Sequence, residues 1–153
     1  MSDVYSVSFS AVTASAAQDL FEVVSAAAGV VKVLGFELFH SSYHGDAAAE
    51  GLQRLWVRGH STSGSGGSSF TPVLRSTKQG AATSACEVNN TTVATSGTGV
   101  NVYAGGWNVQ AGITYWWTPE TQPLLRNSER GVLRMSAPAD AITLNGVLYI
   151  EET

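Results

Sequence analysis

The sequence predicts an all-β protein: a single-domain antiparallel β-sandwich, jelly-roll-like, with at most one or two short helical turns. Three observations carry this expectation. Apolar and polar residues alternate with period two in several stretches, the pattern of a half-buried strand. Clusters of Gly, Ser, Asn and Pro recur at about the 8–12-residue spacing of turns in sandwiches and barrels. No stretch sustains the 3.6-residue apolar repeat of a long helix. The chain of 153 residues fits one domain, residues 1–153, with room for one core.

Each element follows from its own pattern. Val4–Phe9 alternates, with Tyr5, Val7 and Phe9 on one face and Ser6 and Ser8 on the other. Asp19–Ser25 is apolar and β-branched through Phe21, Val23 and Val24. Val30–Ser41 is a long strand in which Leu34, Phe36 and Leu38 share a face, with Lys32 and His40 at the ends of that row. Leu52–His60 alternates again, and placing Leu55 and Val57 inward turns Arg54, Trp56 and Arg58 outward. Ser84–Val88 reads as a short strand, and Gly99–Tyr103 and Trp107–Val109 as strand pieces around Gly105-Gly106. Gly112–Thr118 carries Ile113, Tyr115, Trp116 and Trp117, and Arg130–Ser136 carries Val132, Leu133 and Met135. Ile142–Glu151 is the clearest strand: Ile142, Leu144, Leu148 and Ile150 line one face, and Thr143, Asn145, Tyr149 and Glu151 the other. Helical turns are expected only at Ala14–Leu20 and Gly45–Leu52, where Asp46 can cap the run that follows.

One segment stands apart. Residues 60–71, reading HSTSGSGGSSFT, have the composition of a flexible Gly/Ser loop. Two readings stand: a mobile surface loop, or an arm that orders against a neighbouring subunit with Phe70 as its apolar anchor.

Composition narrows the function. Net charge is -4 and only 13% of residues are charged, about half the ~25% usual in globular proteins. Ser, Thr, Gly and Ala fill the gap, giving a surface that meets neighbours with little charge to desolvate. No basic stripe suggests nucleic acid. No apolar run approaches the ~18–20 residues of a helical membrane span. Met1–Ser10 shows no basic stretch leading into an apolar one, so no secretory signal is expected. Cys86 is the single cysteine, which excludes an intrachain disulfide and suits synthesis in a reducing cytoplasm.

No catalytic constellation emerges. His40 and His44 are four apart, but a strand end followed by a loop lacks the helical geometry that would aim both at a metal. No G-x-S-x-G elbow is present, and Cys86 in a strand-like context reads as a small buried hydrophobe. The carboxylates are scattered, without an identifiable acid/base pair. Neither a metal nor a cofactor is expected, and the protein reads as non-enzymatic.

The aromatics offer more. Trp116 and Trp117 are adjacent and must point to opposite faces of a strand, so one enters the core and the other needs a second partner. That partner is a covering loop, a subunit or a stacked sugar ring. Trp107 joins them in the same span. Trp56, placed outward between Arg54 and Arg58, invites cation–π stacking or a subunit contact. The interface candidates are therefore Arg54, Trp56, Arg58, Phe70, Trp107, Trp116 and Trp117.

Four phrases of the sequence carry a resemblance: Arg58-Gly59-His60 running into the Gly/Ser segment, Glu87–Thr92, Trp116–Glu120, and Ala137–Asp140 leading into Leu144–Glu152. With them the chain, from about Tyr5 to Glu152, resembles a family of small proteins encoded by tailed bacteriophages and prophages. The resemblance implies a virion component. Within that class it points to a head decoration or cement protein, a trimeric jelly roll on the outer capsid surface that stabilises the shell against packaged DNA. Its partners would be the major capsid protein and itself as a homotrimer, without nucleic acid or membrane. Made in the host cytoplasm, it would end on the capsid surface. The alternative is a tail, baseplate or fibre-tip protein that binds host glycan through Trp107, Trp116 or Trp117.

Overall fold

The computed structural model describes residues 3–41, 49–76 and 80–153. Among these residues the chain forms twelve strands and no helix: β1 (Asp3–Ala14), β2 (Gln18–Val24), β3 (Val30–His40), β4 (Gly51–Thr62), β5 (Ser68–Phe70), β6 (Val73–Leu74), β7 (Ala85–Asn90), β8 (Thr95–Asn108), β9 (Ile113–Trp116), β10 (Leu124–Arg126), β11 (Arg130–Met135) and β12 (Ile142–Glu152). The first sheet runs β10-β3-β12-β1-β6, with β9 also paired to β3. The second runs β5-β7-β2-β11-β4-β8. The four-strand order β1-β12-β3-β9 opposes β2-β11-β4-β8, and the chain changes sheet at each step from β1 to β4. That is the wrap of a jelly roll, so the expected all-β sandwich is the fold observed.

Alternation explains the core. Along β12, Ile142, Leu144, Gly146, Leu148 and Ile150 are buried while the residues between them are half-exposed. Tyr5 and Val7 of β1, Phe36 and Leu38 of β3, Leu20 and Phe21 of β2 and Leu133 and Met135 of β11 meet them between the sheets. Cys86 lies in the same core. Burial pushes its thiol up to about 12, more than the Ser84 hydroxyl lowers it, so it stays protonated and inert as a nucleophile.

Several expectations are corrected. Leu34 leaves the row of Phe36 and Leu38, because a bulge pairs Tyr149 with Gly35 and Ile150 with Val33, skipping Leu34. Val31 and Val33 face the core in its place. Gly105-Gly106 does not split a strand; β8 runs through it. The Tyr103 ring and the Arg54 guanidinium occupy the place of a side chain at Gly105, where a Cβ would lie 2.9 Å from Tyr103 Cζ and 3.1 Å from Arg54 Nη2. Ala14–Leu20 passes from β1 into β2 without a helical turn. His44, Asp46 and most of the second expected turn lie outside the described residues.

Strand β2 is buried on both faces although it carries Gln18, Asp19 and Glu22. Arginines on β11 neutralise the two carboxylates: Arg134 Nε lies 2.6 Å from Asp19 and Arg130 Nε 2.6 Å from Glu22. A cover closes over them. Ala94 N–H donates to Asp19 at 2.7 Å, and Gly64 N–H to Glu22 at 3.1 Å.

That cover includes the Gly/Ser segment. Instead of projecting as an arm, residues 60–71 run along the second sheet. His60 and Thr62 pair with β8, Ser65 and Thr92 exchange backbone hydrogen bonds of 2.9 Å, and Ser68–Phe70 pairs with β7. The glycines serve close approach rather than looseness: a Cβ at Gly64 would lie 2.6 Å from the Thr92 carbonyl and 2.8 Å from the Asn90 side chain.

Candidate interaction surface

The outer face of the first sheet follows from register. Residues paired across strands point the same way, so each row can be read off the ladder. One row runs Trp116 (β9), Gly35 (β3), Tyr149 (β12), Ser6 (β1), Val73 (β6). The next runs Leu124, Lys32, Glu151, Val4. On the other side lie Thr114, Glu37, Val147 and Ser8. Tyr5, Val7, Phe36 and Leu148 alternate with these positions and fill the core, so the rows face solvent.

Trp116 dominates this face from the edge strand β9, reaching over Gly35 towards Tyr149 on β12. It is 53% exposed, while its neighbour Trp117 is buried in the core, as adjacent strand residues must divide. The indole stacks on Tyr149, with ring centroids 4.9 Å apart and planes at 22°. Gly35 makes room for it: a Cβ there would sit 2.7–2.8 Å from indole atoms and 2.6 Å from the Tyr115 carbonyl. Arg75 places its guanidinium 5.6 Å from the Tyr149 ring on the same face. Trp116 is thus held in one orientation before any partner arrives, which lowers the entropy lost on binding.

Around this pair the face is partly apolar, mixing large hydrophobic side chains with Ser6, Ser8, Thr114, Lys32, Glu37 and Glu151. Of the six large hydrophobic side chains exposed among the described residues, Phe39, Val73, Trp116 and Leu124 belong to the first sheet and Val100 and Val102 to β8. Lys32 and Glu151 neutralise each other at 3.0 Å.

The other interface candidates fall elsewhere. Trp56, Trp107 and Trp117 are core residues. Trp56 is 0% exposed because β4 is turned over from the expected orientation. Leu55 and Val57 instead form a small outer cluster with Ala94 and Val132. Arg54 is buried with Trp56, its guanidinium donating to the Gly106 carbonyl at 2.6 Å and the Tyr103 hydroxyl at 2.7 Å. Phe70 is half-buried against the core. Arg58 is at the surface, paired with Glu129 at 2.9 Å. Only Trp116 among the candidate tryptophans presents a ring to solvent. Tyr149, Phe39, Val73, Leu124 and Arg75 complete the face without having been singled out. Tyr149 had a signal, since alternation put it opposite the core face of β12.

Two polar clefts hold carboxylates. One, of about 310 Å³, holds Glu22, Glu87, Ser63 and Arg130. The Glu22 carboxylate already accepts from Arg130, Ser63, Gly64 and Asn90, so its lone pairs are used and it acts as a tether. The other, of about 400 Å³, is lined by Asp3, Tyr5, Gly80 and Glu152. Burial pushes the Glu152 carboxyl up, but hydrogen bonds from the hydroxyls and backbone N–H groups of Ser84 and Thr83 together outweigh it and hold the carboxyl below its ordinary value. A carboxylate held ionised in this way is a poor general acid. No group of three or more His, Cys, Asp or Glu that could hold a metal occurs among the described residues.

Comparison with family models, with curated proteins and with solved structures finds no match, so the chain's own geometry carries the functional argument.

Proposed function

We propose that the protein is a non-enzymatic virion structural protein of a tailed bacteriophage, a capsid decoration protein that attaches to the outer head surface through the exposed face of its first sheet. The observation that carries this reading is the preset Trp116–Tyr149 pair on a nearly neutral, partly apolar sheet face. Such a face suits a protein partner, because buried aromatic anchors dominate interface energies and paired charges add little desolvation. The resemblance to phage proteins supplies the kind of partner, the major capsid protein. Repetition of that partner over a shell would make attachment multivalent, since each further contact is effectively intramolecular.

The test is co-sedimentation with expanded, undecorated heads of the phage that encodes the protein, counting bound copies per shell. Saturable binding at a symmetry-fixed stoichiometry, lost in Trp116→Ala, is expected. Folded protein that does not bind would sink the reading. The exposed indole also favours a second one, in which the ring stacks on a host-surface sugar. Glycan binding that Trp116→Ala abolishes, without head binding, would establish that reading instead.

A further inference from the structure

Strand β8 has an edge that the described residues leave open. The second sheet ends at β8, which among the described residues pairs only with β4. Open edges are blunted in most proteins by shortness, charge, proline, bulges or a cover. The other terminal strands are short: β5 has three residues, β6 two, β9 four and β10 three. β8 has 14 residues, without a charged side chain or a proline. Among the described residues its only protection is a pair of register shifts against β4, near Val102 and near Thr98-Gly99, which bend the strand.

Its first half is also thinly supported. β4 pairs with β11 only as far as Arg58, so from there to Thr62 its ladder partner is β8 alone. Residues 95–102 are exposed throughout, including Val100 at 42% and Val102 at 43%. A two-stranded ribbon open on both faces is marginal in water.

We propose that this edge is a self-association site, at which two copies of the chain pair β8 to β8, antiparallel, about a two-fold axis at Asn101. The symmetry argues for a second copy. A two-fold axis sets each residue against its own equivalents, so any charge near the axis would repel itself. From Thr95 to Asn108 there is none. About Asn101 the sequence is also matched: Val100 meets Val102 of the partner twice, Gly99 meets Tyr103, and Thr98 meets Ala104. The exposed valines then stand beside one another across the axis. Ser96 and Gly97, in left-handed conformations, end the paired stretch. The result is a dimer joined through a continuous sheet.

The experiment is sedimentation equilibrium over a range of concentrations on four samples: wild type, Asn101→Lys, Asn101→Glu, and the two variants mixed. Wild type should reach twice the 16.0 kDa chain mass. Each variant alone should stay monomeric with an unchanged far-UV spectrum, and the mixture should recover the dimer because opposite charges now meet at the axis. Wild type that stays monomeric would overturn the proposal. So would a trimer, or any oligomer, that both variants leave intact. Hydrogen exchange of the wild type gives an answer independent of how the variants fold: protection of amides in 98–104 should rise with concentration, and its constancy would refute the pairing.

Discussion

Arg54 is expected to be replaceable by methionine at small loss and by alanine only at large loss. Its side chain is buried, the residue being 4% exposed. It makes no salt bridge among the described residues, where every ion pair lies elsewhere. Two charge-assisted hydrogen bonds and three aromatic rings, Phe36, Tyr103 and Tyr115 at 5.5–5.9 Å, compensate the charge. Hydrogen bonds to a charged group contribute ~1.5–3 kcal/mol each, and a desolvated cation–π contact adds ~0.5–2 kcal/mol. Against them stands a desolvation penalty of roughly several kcal/mol for the buried charge. The two sides nearly cancel. Methionine keeps the apolar stem and removes the penalty with the bonds, so Arg54→Met should cost only about 1–2 kcal/mol, mainly from the carbonyl and hydroxyl left without donors. Arg54→Ala adds a cavity and should cost about 3–5 kcal/mol. Urea unfolding followed by tryptophan fluorescence measures both. In a double-mutant cycle, Tyr103→Phe and Arg54→Met should couple by about 1 kcal/mol, since each removes one partner of the same bond. Equal losses for methionine and alanine would show that the charge itself holds the core. Additivity of the cycle within ~0.5 kcal/mol would show that the Tyr103 bond contributes nothing.

Two further outcomes follow from named groups. Glu152 has a folded carboxyl pKa held below its ordinary value. Its stabilising effect is therefore fully present above the usual glutamate range, near ~4.3, and is lost as pH falls through the folded value. Glu152→Gln should lower stability at neutral pH and converge with wild type in acid; a gap between the two that does not change with pH would refute the linkage. Cys86, with its thiol pushed up to about 12, should resist a disulfide reagent in the native protein and react at the rate of unfolding. Rapid labelling without denaturant would place it at the surface.

Most of the framework was legible because alternation has only one physical meaning when one face of a strand is bare. β12 is the plain case: its outer face meets solvent, so pattern and burial coincide. β4 was misread for the opposite reason. Ala94, Val57 and Val132 cover its outer side, so both faces are partly apolar and alternation does not say which faces the core. The paired arginines were equally misleading, because Arg54 enters the core through aromatic rings rather than a carboxylate, which no local signal announces. At residues 60–71, composition stood for two opposite things. Glycine suits a loose chain, and it also suits a backbone pressed against a neighbour. The difference lies in Glu22, Asn90 and Thr92, which stand 23 to 42 residues away in sequence from the glycines they meet. The Trp116 face was half legible. The adjacent tryptophans required one to be outside, but which one depended on register: β9 sets Trp116 opposite Gly35 on the outer row, and the backbone N–H of Trp117 donates to the Leu34 carbonyl at 3.0 Å.

The scarcity of charge acquires a structural reading from these placements. Of the eight basic residues, Lys32, Arg58, Arg130 and Arg134 are in ion pairs, Arg54 is buried, and Arg75 lies against Tyr149. In two of the pairs, between β2 and β11, the carboxylate is buried and the arginine half-buried, and they tie the cover to the second sheet. Removing one partner of such a pair typically costs ~3–5 kcal/mol, since the other charge is left without compensation. The charges thus work largely within the fold, and the outside is left to hydroxyls, small residues and a few apolar side chains. That division separates two tasks: ion pairs and aromatic stacking hold the sandwich together, while the Trp116 face and the β8 edge remain open to partners. An enzyme on the same scaffold would instead aim ionisable groups into a cleft. Here the Glu22 carboxylate has four hydrogen-bond donors and the Glu152 carboxylate is held by Thr83 and Ser84. Both are occupied in holding backbone, which is why the surfaces, and not the clefts, carry the functional proposal.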